Sequence, residues 1–283
     1  MRVAEQGVEN TATWGRAGLA ALPMYDPPEL HEANDALWAA LRQRLEARGV
    51  AAPPGLTRTS DLDALWSSSD LLIAQTCGYP LATRLRDRVR LVFTPRYRAQ
   101  GCDGPFHRAA LVVRKSAGAR SLLDLKGSRL ALNGPDSNTG MNLLRAEIAP
   151  IAYRQRFFST VITTGSHAQS AAAVAEGRAD VASLDCVTWA LLQRLQPALA
   201  AELTVLAWSP RSPGLPLVTS RLTPHATFAA LQAALGEVID DPTLAAARRE
   251  LLLEGFESLA PSYYTGLLHY EQIAADLGYP RLI

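Results

Sequence analysis

Residues 161–185 read VITTGSHAQSAAAVAEGRADVASLD, and this stretch predicts a strand, a turn, a helix and a second strand. The run VITT is typical of a strand, and the alanine-rich run after Ser166 is typical of a helix. Gly177 is placed to end that helix, and the apolar run at 181–185 begins the next strand. A strand that is followed by a helix and another strand is the repeating unit of an α/β fold.

The same alternation extends outward over roughly 200 residues, which predicts mostly parallel sheets with helices on both faces. Two stretches rich in glycine and proline interrupt it: AQGCDGPFHR at 99–108 and SPRSPGLPLVTS at 209–220. We interpret both as crossovers between two lobes, each a mostly parallel sheet flanked by helices. The predicted parts are an N-terminal tail at 1–18, a discontinuous lobe 1 at 19–105 and 212–283, and lobe 2 at 106–211.

Local patterns at the two ends of the chain predict individual elements. The apolar run LAALPMY at 19–25 is typical of a buried strand that ends at Asp26. After the second crossover the chain is predicted to be helical, with helices at 223–239, 242–255 and 264–277.

The charge balance argues against a nucleic-acid partner. The 28 basic and 27 acidic residues give a net charge of +1, so the chain lacks the basic surface that follows a phosphate backbone. No apolar stretch is long enough to span a membrane or to form the h-region of a signal peptide. We therefore expect a soluble protein without direct membrane insertion and without a recognisable export signal.

The three cysteines, Cys77, Cys102 and Cys186, are far apart in sequence and form no CxxC pair. Their odd number and spacing predict neither a disulfide framework nor a zinc site. A reduced compartment fits this pattern best, and we expect no metal and no cofactor.

The sequence DSNTG at 136–140 places small polar residues between a predicted strand and a predicted helix. Ser137, Asn138 and Thr139 can each donate a hydrogen bond to a tetrahedral oxyanion, and Gly140 lets the backbone approach closely. N–H groups at a helix N-terminus also attract anions. The alternative is an ordinary N-cap, since Ser, Thr, Asn and Asp precede helices in many proteins.

Two more turns lie between a strand and a helix: TCGY at 76–79 and TGSH at 164–167. Their candidate hydrogen-bonding groups are the side chains of Thr76, Tyr79, Ser166 and His167. Solvated caps and local hydrogen-bond partners are the alternative. Because the carboxyl ends of parallel strands face a common crevice, we expect the three turns to converge on one site.

Asp185 ends the strand VASLD, where its carboxylate can meet a cationic or hydroxyl part of a ligand; an N-cap of the next helix is the alternative. Tyr25 ends the first predicted strand and is placed to line a cleft, although it can equally be a core aromatic residue. Cys186 and His167 suggest a nucleophile and a base. Since no orienting acid is evident from the spacing, no catalytic residue is predicted.

Four stretches together resemble the phosphate/phosphonate substrate-binding proteins of ABC transporters: LPMYD at 22–26, SNTG at 137–140, TGSHAQSAAAVAEGRADVASLD at 164–185 and PGLP at 213–216. The resemblance runs from Leu19 to the C-terminal helix, and the block at 164–185 is its most specific part. It implies an α/β, two-lobed, periplasmic-binding-protein-like fold of type II.

The resemblance also implies which residues contact the ligand. Those that would bind oxyanion oxygens are Ser137, Asn138, Thr139 and His167. Tyr25 and Tyr79 would flank the ligand, and Asp185 stands where the family has an acidic residue that meets an amino group. Three more residues complete the predicted ligand-binding set because they lie in the three turns: Thr76, Gly140 and Ser166.

The predicted function is reversible binding of a small phosphate-like or phosphonate-like oxyanion in an interlobe cleft that closes by hinge motion, like a Venus flytrap. The resemblance implies the substrate-binding component of an ABC-type transporter, with a permease as partner and periplasmic residence. Without a recognisable signal peptide, a cytoplasmic location stays open.

The alternative is a cytoplasmic enzyme or a ligand sensor on the same fold, acting on a small carboxylate or a phosphorylated metabolite. Turnover that is abolished by His167→Ala or Asp185→Asn would identify the enzyme. Ligand-dependent association with another protein would identify the sensor.

Overall fold

The structure, a computed structural model, describes residues 18–283, so all but the last residue of the predicted tail at 1–18 lies outside the described part. Its strands are β1 (Leu19–Ala21), β2 (Leu71–Gln75), β3 (Val89–Tyr97), β4 (Phe106–His107), β5 (Ala109–Arg114), β6 (Arg129–Leu132), β7 (Thr160–Thr163), β8 (Val181–Asp185), β9 (Leu203–Trp208), β10 (Ser212–Pro213), β11 (Leu217–Ser220) and β12 (Leu253–Glu257).

The α-helices are α1 (His31–Glu46), α2 (Leu62–Ser67), α3 (Gly78–Ala82), α4 (Leu143–Ala152), α5 (His167–Ala175), α6 (Cys186–Leu195), α7 (Pro197–Ala201), α8 (His225–Asp240), α9 (Ala245–Glu250), α10 (Ser262–Thr265) and α11 (Leu268–Asp276). Between residues 18 and 283, no helix combines the length and the apolar character that crossing a membrane requires.

The strands form two mixed sheets of five strands and a short ribbon. In the first sheet the order is β1-β2-β11-β3-β12, and β11 and β12 run against the other three strands. In the second sheet the order is β7-β6-β8-β5-β9, and β5 runs against the other four strands. β4 and β10 pair as an antiparallel ribbon, with Ser212 opposite His107.

Helices cover both faces of each sheet, which confirms the predicted α/β class, although both sheets are mixed where mostly parallel ones were predicted. Apolar residues of α1 and α8 pack on one face of the first sheet, and those of α2, α3 and α10 pack on the other. The second sheet lies between α4 and α11 on one face and α5, α6 and α7 on the other. Each apolar face is therefore removed from water by a helical layer, as a doubly covered sheet requires.

The first strand is shorter than the sequence predicted. β1 ends at Ala21, although the apolar run continues to Tyr25. Pro23 has no N–H group to donate to β2, so the chain leaves the sheet there. Tyr25 consequently lies on the loop that follows the carboxyl end of β1.

The predicted helix at 242–255 is wrong in its last part. α9 ends at Glu250, and β12 pairs with β3 from Leu253 onward. Leu252, with a φ of 56°, redirects the chain between the two elements. Leu253 is buried in the apolar cluster beside the first sheet, and this packing outweighs the local helix propensity.

The chain passes between the two sheets three times. β3 leads through β4 to β5, β9 leads through β10 to β11, and the segment after β12 leads to α11. α11 packs on α4, and Tyr279 and Leu282 join the apolar cluster there. The C-terminal segment, which was expected to belong wholly to lobe 1, therefore contacts the helical layer of the second sheet. The lobe boundaries themselves stay a prediction.

Tyr264 connects α10 to the first sheet and to the second crossing, the segment that leads from β9 through β10 to β11. Its hydroxyl donates to the carbonyl of Gly214 at 3.0 Å and lies 2.7 Å from Oγ1 of Thr94 on β3. The side chain is 1% exposed, so neither partner can exchange this bond for one to water.

We expect Tyr264→Phe to lower the free energy of unfolding by about 2 kcal/mol, because Thr94 and Gly214 each lose a partner while they stay buried. Urea unfolding measures the difference. Tyr263→Phe is the matched control, since Tyr263 is 50% exposed and should tolerate the change. Equal stabilities for the two variants would show that the Tyr264 hydroxyl does not hold the crossing.

Candidate functional site

A cavity of about 620 Å³ lies between the two sheets. The loops that follow β1, β2, β6 and β7 and the end of β8 contribute to its wall. Six of the predicted ligand-binding residues line it: Tyr25, Ser137, Thr139, Ser166, His167 and Asp185. The turns at 136–140 and 164–167 therefore face one cavity.

The turn after β6 is built as a helix cap. Ser137 Oγ accepts a hydrogen bond from the N–H of Gly140 at 3.0 Å, and a π-helical turn, Asn138–Asn142, leads into α4. The cap interpretation thus holds for Ser137. Because its hydroxyl accepts in that bond, the hydroxyl proton can still be donated to a ligand in the cavity.

Thr139 and His167 meet in the cavity wall. Thr139 Oγ1 lies 3.2 Å from His167 Nε2, and Asn133 Nδ2 lies 3.4 Å from the same nitrogen. Thr139 comes from the turn after β6, whereas His167 begins α5 after β7. Asn133 was not predicted, although its place directly after a parallel strand is the signal that could have identified it.

His167 is held in its neutral form. Burial lowers the pKa of His167, and the negative charge of Asp185 offsets only part of that effect. At neutral pH the imidazole therefore carries one donor and one acceptor nitrogen. Its Nε2 contacts the Thr139 hydroxyl and the Asn133 amide, so the imidazole orients the Thr139 side chain in the cavity wall.

Ser166 caps the helix that carries His167. Its Oγ accepts from the N–H of Gln169 at 3.1 Å. The first N–H groups of a helix have no acceptor within that helix, and His167 and Ala168, at the start of α5, line the cavity. The start of α5 thus brings backbone donors to the same wall as Thr139.

Asp185 is 1% exposed, and its carboxylate is engaged by internal partners. Oδ1 accepts from the Tyr25 hydroxyl at 2.7 Å and from the N–H groups of Val187 and Thr188 at 3.0 and 3.1 Å. Oδ2 lies 3.3 Å from Nδ1 of His107. The N-cap alternative therefore describes the geometry of Asp185, while its charge lies in the cavity wall.

The ionisation states of this group follow from its contacts. Burial raises the pKa of Asp185, but His107 and, to a lesser extent, His167 and Tyr25 outweigh it, so the pKa lies below the ordinary value. Burial and the Asp185 charge raise the pKa of Tyr25 well above its ordinary value. A phenol thus donates to a carboxylate across the cavity and joins the loop after β1 to the end of β8.

The remaining four predicted residues do not line the cavity: Thr76, Tyr79, Asn138 and Gly140. Tyr79 donates to Oε2 of Glu271 at 2.7 Å, because α3 directs its ring toward the apolar cluster between α4 and α11. Thr76 is fully buried after β2, and within the described chain its Oγ1 has no hydrogen-bond partner. The contact of Tyr79 with Glu271 differs from the position beside the ligand that the resemblance implies for Tyr79.

Asn138 and Gly140 support the turn from behind. Asn138 Nδ2 donates to Oγ of Ser212 on the β10 strand at 2.9 Å. A Cβ atom on Gly140 would come within 1.9 Å of Asn133 Oδ1, so the close approach requires glycine. These two residues position Ser137 and Thr139 instead of facing the cavity themselves.

The charged side chains of the wall are mostly acidic. The carboxylates that line the cavity are Asp26, Glu29, Asp61, Asp63, Asp136 and Asp185. Among the described lining residues, Arg84 is the only arginine or lysine, and it pairs with Asp63 at 2.5 Å and Asp136 at 2.6 Å. Of these seven residues the sequence identified only Asp185, because charged side chains in loops follow no periodic pattern.

The family model for the periplasmic substrate-binding protein of phosphonate ABC transporters matches residues 19–264, most of the chain. The chain belongs to this family. The family and the solute-binding function predicted from the sequence are thereby confirmed. A search of curated proteins gave no match.

Solved structures share the fold at low sequence identity. A binding-protein component of an ABC phosphonate transporter from Pseudomonas aeruginosa is 17% identical, with a TM-score of 0.72 over 93% of this chain and 87% of that one. PhnD1 from Prochlorococcus marinus, solved in complex with methylphosphonate, is 14% identical, with a TM-score of 0.72 over 91% and 97%. XAC2383 from Xanthomonas citri, bound to chloride ion, is 17% identical, with a TM-score of 0.69 over 92% and 98%.

We expect His167 to make this substrate-binding protein less stable in mild acid. Because the folded-state pKa of His167 is lowered, its contribution is present above the unfolded pKa of about 6.5 and is lost as the pH falls through the folded pKa. His167→Gln should therefore lose less stability than the wild type between pH 7.5 and pH 5, as measured by urea unfolding. His225→Gln, at an exposed histidine, is the control, and a wild-type slope in the His167 variant would contradict the assignment.

Proposed function

We propose that this protein binds a small phosphonate in the cavity between its two sheets and presents it to the permease of an ABC transporter in the periplasm. Family membership supports the transport role. The observation that carries the ligand class is the meeting of Thr139 and His167, from separate turns, at 3.2 Å in the wall of one cavity. Such convergence of polar groups on a concave site is how small-ligand pockets fix their ligand.

The oxyanion head lies at the wall formed by the turn after β6 and the start of α5. Ser137 and Thr139 contribute hydroxyl donors, His167 contributes an imidazole, and the start of α5 contributes backbone N–H groups. Bonds from such donors to an anion are charge-assisted and roughly twice as strong as neutral ones. The positive end of the helix dipole also favours an anion at this place.

The carboxylates in the cavity wall determine which substituent on the phosphonate is favoured. Arg84 is already paired with Asp63 and Asp136, so its charge is largely compensated. Asp26 pairs with Arg58, whereas within the described chain Glu29 and Asp61 have no ion-pair partner. A second anionic group on the ligand would be repelled by these two carboxylates, and an ammonium group would be attracted to them. A phosphonate with a neutral or cationic substituent therefore fits this cavity better than one with an acidic substituent.

Hinge closure fits the connections between the sheets. We assign lobe 1 to 19–105 and to the part of 212–283 that precedes α11, and lobe 2 to 106–211 together with α11 and the C-terminal residues that pack on α4, with the β4–β10 ribbon as the hinge. The Tyr25–Asp185 hydrogen bond crosses the cavity and stabilises the closed form. Bending at a few residues in the connecting segments is the usual way in which two such lobes open and close around a ligand.

Thr139→Val should weaken methylphosphonate binding about tenfold, because it removes one charge-assisted hydrogen bond while it keeps the side-chain volume. Isothermal titration calorimetry measures the affinity. Thr160→Val, at an exposed position on β7, is the matched control and should bind as the wild type does. If no small oxyanion, whether phosphonate, phosphate or sulfate, binds or raises the melting temperature of the wild type, the proposed ligand class is wrong.

An aminoalkylphosphonate should bind at least about tenfold more tightly than a carboxyalkylphosphonate of the same chain length. The physical reason is the attraction of the ammonium group, and the repulsion of the carboxylate, by the acidic wall. Competition titrations against methylphosphonate give the ratio. Equal affinities would show that the wall carboxylates do not contact the substituent.

A further inference from the structure

Two cysteines and a histidine that are distant in sequence form a compact cluster beside the first crossing. The Sγ atoms of Cys102 and Cys186 lie 3.5 Å apart, although the residues are 84 positions apart in sequence. A ring nitrogen of His107 and both sulfurs all lie within 4.8 Å of one another. Cys186 and His107 are buried, and Cys102 is half-buried, which gives the cluster a side open to solvent.

These distances suit a tetrahedral metal ion. With Zn–S bonds of about 2.3 Å, two thiolates of a tetrahedral site lie about 3.8 Å apart. The observed separation of the sulfurs differs from this by only a few tenths of an ångström. Thiolate and imidazole are also the ligands that Zn²⁺ prefers over Ca²⁺ or Mg²⁺.

The surroundings of His107 strengthen this chemistry. Its Nδ1 lies 3.3 Å from Oδ2 of Asp185, and within the described chain its Nε2 is buried without a hydrogen-bond partner. A carboxylate beside the imidazole is typical of histidines that bind metal ions, because it orients the ring and adds negative charge near the cation.

We propose that Cys102, His107 and Cys186 bind a thiophilic divalent metal ion such as Zn²⁺, with water in the fourth position and Asp185 as the carboxylate that orients His107. Cys102 and Cys186 are not among the residues that line the ligand cavity, so the metal site is separate from the phosphonate site. Cys102 lies in the segment that leads from β3 to β4, and Cys186 begins α6. The ion therefore joins the first crossing to the second sheet.

A disulfide between the same sulfurs is the competing use of the pair. A disulfide would use only the two sulfurs of the cluster, and neither His107 nor Asp185 would take part in it. A metal ion uses all three, which is why the geometry favours the metal. The test must therefore begin with fully reduced protein.

The decisive experiment is a Co²⁺ titration of the whole protein after reduction with a thiol-free phosphine and removal of metals by a chelator. We expect one equivalent of Co²⁺ to produce the near-ultraviolet band of sulfur-to-cobalt charge transfer, and Zn²⁺ to abolish it by displacement. Excess Zn²⁺ should raise the melting temperature by about 5 °C.

Cys102→Ser and Cys186→Ser should each lose the band and the thermal shift, while their circular dichroism without metal matches that of the wild type. Cys77→Ser is the matched control and should keep the band, because Cys77 lies outside the cluster. No band in the reduced wild type, or an undiminished band in the Cys102 and Cys186 variants, overturns the proposal. A protein that binds no metal when reduced but forms a Cys102–Cys186 disulfide on oxidation overturns it in favour of the competing use.

Discussion

The buried carboxylate of Asp185 is the constraint on which the arrangement of the two sheets depends. A charge that is removed from water is costly unless hydrogen bonds replace its hydration. Asp185 obtains those bonds from the Tyr25 hydroxyl, from the imidazole of His107 and from the N–H groups that begin α6. These partners come from the first sheet, the ribbon and the second sheet, so satisfying one charge requires all three to be close together.

That closeness determines what the cavity can do. It places the turn after β6 and the start of α5 opposite the loop that carries Tyr25, and it keeps the Asp185 charge near His167. The cavity therefore has its hydroxyl and backbone donors at the turn after β6 and the start of α5, and four of its six carboxylates, Asp26, Glu29, Asp61 and Asp63, on segments next to the first sheet. A ligand with an anionic end and a neutral or cationic end complements both groups, whereas an unmodified inorganic anion complements only the first.

The sequence was informative wherever structure follows from neighbours along the chain. The block at 161–185 contains its own strand, cap and helix signals, and the rule that parallel strands end at one edge brought Thr139 and His167 to a common site. It was uninformative where long-range packing decides. The ring of Tyr79 follows α3 toward α11, and Leu253 forms a strand because β3 offers an edge to pair with.

The cysteines are the clearest example of what a sequence pattern does not reveal. Spacing detects metal ligands only when they lie on one local motif, and 84 positions separate Cys102 from Cys186. Arg84 and its carboxylates are a second case, because loop charges follow no period that a sequence pattern could reveal. Both groups are defined by which segments approach each other in space, and that information becomes visible only in the folded chain.

The third passage of the chain, from β12 to α11, has a mechanical consequence. Two adjacent segments alone, the ones that contain β4 and β10, would let the halves of the molecule both swing and rotate about the ribbon. A third connection, anchored where α11 packs on α4, adds a constraint on rotation of one sheet against the other. We therefore expect any opening motion of the molecule to follow mainly one direction, so that the polar groups of the cavity return to the same relative positions.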